Sequence, residues 1–189
     1  NGNCENYSYN RVGQITKVDP CDSAFSDTNI SYTTSTGGNG VSGTSAGMLL
    51  STVSKGNYRK QTYYDGLLRP ISSKVWDNGR SSTTSYTRTH YNYQNKPPFQ
   101  SRPNTSTSTS YGTYTYYDGL GRVTKVDDNA TSGDISYSYL TSNRVQVNDN
   151  LGNVTTTTYL AYGSPSQSQP TTIASPEGVT TSMLYDVFG

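Results

Sequence analysis

The stretch Tyr116-Tyr117-Asp118-Gly119-Leu120-Gly121-Arg122-Val123-Thr124-Lys125-Val126 reads as two short strands bent at Asp118-Gly119-Leu120-Gly121. Asp at position i and Gly at i+3 favour a type I turn, and Gly121 supplies the positive φ of a closing bulge. A three-residue hairpin loop follows. In that register Asp118 faces Arg122, an opposite-charge pair beside the turn, and Tyr117 faces Val123, an aromatic ring on a β-branched side chain. Looser copies of the bend stand at Asn10–Gly13, Asp65–Leu68, Asp149–Gly152 and Ser175–Gly178, and the chain stops in a further one at 186–189. This hairpin is the unit from which the fold is expected to be built.

The composition supports a wet, thin β-protein. Only 9 Leu, 5 Ile, 12 Val and 3 Phe occur among 189 residues, too few for one deep aliphatic core. The net charge of +1 brings no self-repulsion to hold the chain open, and 18 Tyr with Trp76 supply apolar area in its place. No window shows a 3.6-residue apolar period, so essentially no helix is expected. Lys and Arg do not cluster, which removes the electrostatic footprint of a nucleic-acid or anionic-membrane binder. No apolar run approaches the length of a membrane span. The chain starts without an initiator Met or a signal peptide, as a mature end or a cut inside a longer chain would.

Around the first copy, Tyr7 to Val18, stand the two cysteines. With the turn at Asn10–Gly13, Cys4 falls opposite Pro20, one residue from Cys21, so a cross-strand disulfide fits; two free thiols are the alternative. Residues 22–47 are rich in Ser, Thr, Gly and Asn and read as a long flexible loop, with room for a strand at Ile30–Thr34. The second copy, Tyr63 to Val75, puts Leu68 where Gly belongs. Positive φ costs an L side chain roughly 1–2 kcal/mol, so a different, degenerate turn is expected there. Asn78-Gly79 marks the next hairpin, between a strand ending at Trp76 and one through Tyr86. His90–Tyr93 reads as a further short strand, and 96–110 as a Pro/Ser/Thr-rich loop or edge. Strands are expected at Ile135–Leu140, Arg144–Asn148 and Thr155–Tyr159, and a break at Gly163–Pro170. The turn positions 13, 68, 121, 152, 178 and 189 are unevenly spaced, yet Tyr63 to Val75 matches Tyr116 to Val126 closely enough to be an internal repeat with insertions.

Tyr117, Asp118, Gly121, Arg122, Val123 and Thr124 together resemble the tyrosine-aspartate repeat of the rearrangement-hot-spot (RHS) family. Partial matches at Tyr9–Thr16, Tyr64–Ile71, Asp149–Thr155 and 185–189 spread the resemblance over most of the chain. It implies a strip of β-hairpins winding into a spiral shell, as in large secreted or surface-exposed proteins such as bacterial polymorphic toxins, insecticidal toxin subunits and teneurins. Those shells are much longer than this chain, and its spacing is more uneven than theirs.

Candidate chemistry is sparse. The one histidine, His90, lies among tyrosines without a sequence partner and reads as structural. Asp127 and Asp149 are a conceivable glycosidase pair, and Asp127–Asp134 a conceivable calcium loop, but Asp is wanted in turns for its backbone hydrogen bonds, which explains both segments more simply. Five Asn-x-Ser/Thr sequons, at Asn6, Asn29, Asn104, Asn129 and Asn153, are as many as composition alone yields. The pairs Tyr7/Tyr9, Tyr91/Tyr93, Tyr114/Tyr116 and Tyr137/Tyr139 each put two rings on one strand face, either as cross-strand packing or, for Tyr114, Tyr116, Tyr137 and Tyr139, as a glycan platform.

The expectation is therefore a non-enzymatic, extracellular repeat segment, a shell wall or assembly surface, with no cofactor or metal, no nucleic-acid partner and no membrane insertion. Its partners would be further repeats of the same chain or like subunits joined end to end, because such a strip exposes strand edges. A carbohydrate-binding module using the Tyr rows is the alternative.

Overall fold

The computed structural model describes residues 4–129, 133–162 and 164–186. Among them every regular element is a β-strand and none is a helix. The chain divides into two compact units, one comprising residues up to Asn92 together with Phe99–Tyr111, the other Tyr93–Pro98 together with residues from Gly112 onward.

The first unit is a meander in chain order. Strands β1 (Glu5–Tyr9) and β2 (Ile15–Pro20) close on the Asn10 turn, and β3 (Thr28–Thr34) begins two residues before the expected strand. Strands β4 (Leu49–Lys55) and β5 (Tyr58–Tyr64) meet at the two-residue turn Gly56-Asn57, with Gly56 at φ 53°. Strand β6 (Pro70–Asp77) returns from the Asp65 turn, β7 (Arg80–His90) from Asn78-Gly79, and β8 (Phe99–Ser101) pairs with the end of β7. The strand expected at His90–Tyr93 is not separate: His90 ends β7, and the next three residues leave the ladder.

One face of this sheet is covered by the two inserts that composition marked as loose. Leu50, Tyr63, Ser72 and Arg88 are directly paired across β4 to β7 and share that face. Residues 35–48 fold over it. The Ser35 N–H donates to the Met48 carbonyl at 2.8 Å, Tyr63 Oη donates to the Gly37 carbonyl at 3.0 Å, and Asn39 Nδ2 donates to Ser72 Oγ at 3.1 Å. Val41, only 2% exposed, is the most buried side chain described, and Tyr63, Phe99, Ser72 and Thr109 are buried with it. The second insert is tied by a two-way bridge in which the Tyr86 and Asn104 N–H groups each donate to the other's carbonyl, at 2.7 and 3.0 Å. Polar-rich segments thus cap the sheet because their hydroxyls and amides meet polar partners, and the range 22–47 holds strand β3 followed by this bonded segment.

The second unit is also a meander: β9 (Gly112–Tyr117), β10 (Val123–Asp128), β11 (Asp134–Leu140), β12 (Arg144–Asn148), β13 (Val154–Tyr162), β14 (Ser164–Ala174) and β15 (Thr180–Ser182). The expected break at Gly163–Pro170 is largely strand. Its prolines are accommodated because the β13–β14 ladder is irregular around Tyr159 and Ala161, and Pro170 sits opposite Tyr159 at such a shift. Pairing puts Tyr137 opposite Val147 and Tyr139 opposite Val145 on one face, where Val145 is buried. The turn expected at 186–189 lies outside the described residues beyond Asp186.

Three of the hairpins closed by the repeated turn carry a bulge just past it, shifting register between Ser8 and Tyr9, between Tyr63 and Tyr64, and between Val123 and Lys125. The first shift sets Glu5 opposite Pro20, so Cys4 meets Cys21 itself rather than Pro20. The Cys21 N–H donates to the Cys4 carbonyl at 3.1 Å, and the two cysteines form a disulfide with Cα atoms 5.3 Å apart.

Candidate functional site

The repeated turn is one structure built five times. Residues Gly13, Leu68, Gly121, Gly152 and Gly178 all have positive φ, between 60° and 85°. Each donates its N–H to the carbonyl three residues back, and each of those residues (Asn10, Asp65, Asp118, Asp149 and Ser175) donates its own N–H to the carbonyl four residues on. The degenerate turn expected at Asp65–Leu68 is therefore absent: Leu68 adopts φ 60°, and its side chain points largely into solvent. Strain at this one residue is offset by the same ring of bonds that Gly121 enjoys.

The side chain at position i completes the ring. Asp118 Oδ1 accepts from the Leu120 and Arg122 N–H groups, both at 2.9 Å, and Asp65 Oδ1 accepts from Leu67 at 2.9 Å and Arg69 at 3.0 Å. Asn10 and Asp149 do the same for Val12 and Gln14 and for Leu151 and Asn153. In the second and third copies the other carboxylate oxygen holds the arginine: Arg122 Nε and Nη2 lie 2.7 Å from Asp118 Oδ2, and Arg69 Nε and Nη2 lie 2.8 and 2.6 Å from Asp65 Oδ2. The Arg122 backbone N–H does most to lower the Asp118 carboxyl; burial pushes it back up, and the Arg122 guanidinium with the Leu120 N–H leaves it below the usual range. For Asp65, burial pushes the carboxyl up, but the bonds and charge from Arg69 and the Leu67 N–H together outweigh it and leave it lowered. The Asn153 amide and N–H lower Asp149 in the same way.

Held from one side by the carboxylate, each arginine is stacked from the other by a ring on or just after the following strand. The Arg122 guanidinium lies 4.0 Å from the Tyr139 ring centre and the Arg69 guanidinium 4.5 Å from that of Tyr91. Tyr139 Oη donates to the Val123 carbonyl at 2.9 Å, and burial raises its pKa against the opposing pull of Arg122. Beside each stack is a cleft. That of the first unit, about 210 Å³, is lined by Asp65, Arg69, Met48, Arg88, His90 and Tyr91. That of the second, about 440 Å³, is lined by Arg122, Tyr139, Asn143, Arg144, Val145 and Gln167, with Leu140.

The turn residues Tyr117, Asp118, Gly121 and Arg122 are brought together as expected, with Tyr117 opposite Val123. The four candidate glycan tyrosines are not. Tyr114 pairs with Asp127 and Tyr116 with Lys125, which pairs in turn with Ser136, so Tyr114 and Tyr116 share the face of Ser136, whereas Tyr137 and Tyr139 alternate onto the other. Tyr114 and Tyr116 are 36% and 47% exposed, and Tyr137 and Tyr139 are half-buried in packing. Asp127 and Asp134 are bridged by Lys125 Nζ, at 3.7 and 2.5 Å, and Asp149 spends both oxygens on its own turn. Among the described residues no three His, Cys, Asp or Glu side chains converge as a metal site would require. Sequence reasoning missed Tyr91 as a stacking partner, and Arg88, Arg144 and Gln167 as cleft residues; all four are brought near the motif by the tertiary arrangement of later strands and their ends, which local spacing does not show. The chain matches no family model and no curated protein sequence.

Proposed function

We propose that this chain is a non-enzymatic structural and interaction segment of a large secreted or cell-surface protein of the RHS type, serving as wall or assembly surface. The observation that carries the reading is the recurrence of one turn whose charged groups are consumed in closing the hairpin and clamping the next strand. A motif spent in that way identifies an architecture instead of a reaction. The Cys4–Cys21 disulfide is compatible with an oxidising compartment. Strands β1 and β15 each pair on one side only among the described residues, which leaves edges suited to further repeats or like subunits. Sedimentation velocity over a wide concentration range tests this: association should grow with concentration and be suppressed by Thr180→Lys with Ser182→Lys on β15. A monomer at every concentration would remove the assembly role.

A second reading, carbohydrate binding, is favoured by the exposed pair Tyr114 and Tyr116 alone. Two rings two residues apart on one strand lie about 7 Å from each other, a spacing suited to adjacent sugar rings. Glycan-array binding lost in Tyr116→Ala would support it; absence of any binding would leave the wall.

A further inference from the structure

We infer that the cleft between Arg88 and the two inserts of the first unit is a binding site for a sulfate monoester carried on a sugar. It lies in the other unit from Tyr114 and Tyr116 and rests on neither reading above. Arg88 pairs with Ser72, and Phe99 pairs with His90, two residues further along β7, so Arg88 and Phe99 share the face that the inserts cover. The Arg88 guanidinium lies 5.7 Å from the centre of the buried Phe99 ring, and among the described residues it makes no ion pair and donates no hydrogen bond. Asp65 stands in the smaller cleft that shares Arg88, but its Oδ1 is taken by the Leu67 and Arg69 N–H groups and its Oδ2 by the Arg69 guanidinium. Arg88 therefore brings a whole positive charge to the cleft.

The cleft measures about 370 Å³, and its lining is Arg88, Gly40, Ser42 and residues 107–110, without an acid or an aromatic ring. Ligand pockets usually span roughly 300–1,000 Å³, so it has room for a sugar. Thr109 is only 5% exposed, yet its hydroxyl has no partner among the described residues. That hydroxyl is not sealed in, since Ser175 Oγ is the one fully buried side-chain polar atom without a bond among them. Ser42, Thr107 and Ser108 likewise have hydroxyls that bond no protein group among the described residues. The loop carrying them is set before a ligand arrives: the Thr109 N–H donates to the Thr107 carbonyl at 2.9 Å, and Asn104 Nδ2 donates to the Ser108 carbonyl at 3.1 Å. One guanidinium matches the single negative charge of a sulfate monoester, whereas a phosphate monoester carries about 1.5–2. A carboxylate would spend both oxygens on the guanidinium edge, while a sulfate ester has a third terminal oxygen for a hydroxyl such as that of Thr109. Walls made of hydroxyls, with no ring to stack on, suit a sugar over an O-sulfated tyrosine.

Isothermal titration calorimetry of the intact chain tests the assignment, comparing galactose sulfated on its primary hydroxyl with plain galactose, inorganic sulfate, glucuronate and tyrosine O-sulfate. The sulfated sugar should bind at least about tenfold more tightly than each of the others, as expected when charge-assisted bonds or sugar contacts are lost. Arg88→Gln and Thr109→Val, the second of which keeps the shape and removes the hydroxyl, should each weaken binding by about tenfold. Arg11→Gln, exposed on the first turn, should leave it unchanged. Circular dichroism verifies the fold of each variant, and where Arg88→Gln does not fold, Thr109→Val decides. Absence of binding to the sulfated sugar, equal binding of any of the four comparison ligands, or an unchanged affinity in a folded Arg88→Gln or Thr109→Val would overturn the proposal.

Discussion

Replacing Val41 by Ala removes two methyl groups from a side chain that is 2% exposed, in an insert whose other residues are Gly, Ser, Thr and Asn apart from Ala46 and Met48. Each buried methylene-sized group is worth about 0.8 kcal/mol in transfer, so the loss starts at about 1.6 kcal/mol. The surroundings can close only in part, because Asn39 is bonded to Ser72 and the neck is tied at Ser35, so a cavity contribution brings the expected cost to about 2–3 kcal/mol. Val12→Ala is the matched control, since Val12 sits on the tip of the first turn and is 78% exposed; its cost should stay within about 0.5 kcal/mol. Trp76, the only tryptophan, lies on β6 of the same unit, so urea titration followed by its fluorescence reports the unit in which the change is made. The midpoint should fall for Val41→Ala and stay for Val12→Ala. Equal midpoints would show that residues 35–48 do not belong to the core of the first unit.

Four further outcomes follow from the same geometry. Gly121→Val, which forces a β-branched side chain to φ 75°, should destabilise the second unit by about 2 kcal/mol, and Arg122→Gln by much less; equal losses in thermal melts would contradict the turn assignment. Tyr63→Phe should cost about 1 kcal/mol by leaving the Gly37 carbonyl without its donor, measurable in the Trp76 urea titration. Reduction of Cys4–Cys21, which closes a loop of sequence separation 17, should lower stability by about 3 kcal/mol on the chain-entropy model, read as the shift in urea midpoint with reductant. The carboxyls of Asp65, Asp118 and Asp149 are all lowered in the folded state, so the unfolded chain binds more protons in acid. The stability they contribute is present above the ordinary carboxylate range and disappears as pH falls through their lowered values. Urea midpoints taken down to strong acid should show that fall, and Asp65→Asn should flatten it for the first unit.

What was legible in the sequence was what is local. The turns at Asn10, Asp118, Asp149 and Ser175 were readable because Asp, Asn or Ser at i and Gly at i+3 interact within five residues, and the Asn78-Gly79 hairpin because its signal is equally local. The bulges were not, because an extra residue at Thr16, Ile71 or Thr124 answers to the twist of two paired strands and leaves no residue-type signature. One unseen bulge was enough to misplace Cys4 against Pro20. The inserts misled in the opposite direction: Ser, Thr, Gly and Asn usually mean solvent, but here hydroxyls and amides find backbone carbonyls over a sheet whose own face offers Ser72 and Tyr63. Grouping Tyr114 and Tyr116 with Tyr137 and Tyr139 failed for a simpler reason, since which face a strand presents depends on its neighbours' register and not on its own alternation.

Comparing the five turns separates the two jobs of the motif. Asn10, with no charge, receives the same two backbone N–H groups as Asp118, and Gln14 meets its amide at 2.7 Å, so a carboxylate is not required to make the bend. What the Asp–Arg pair adds is reach. Both paired copies extend a guanidinium onto a ring belonging to the next strand or its end, whereas Gln14, Asn153 and Val179 at the corresponding positions have no cation to place there. In a chain too poor in Leu, Ile and Phe to fill a common core, that reach joins successive hairpins without deep apolar burial, because a stacked guanidinium covers a ring while keeping its charge compensated and partly hydrated. The same requirement explains why both clefts lie beside these stacks: a long side chain spanning two hairpins covers the junction without filling it.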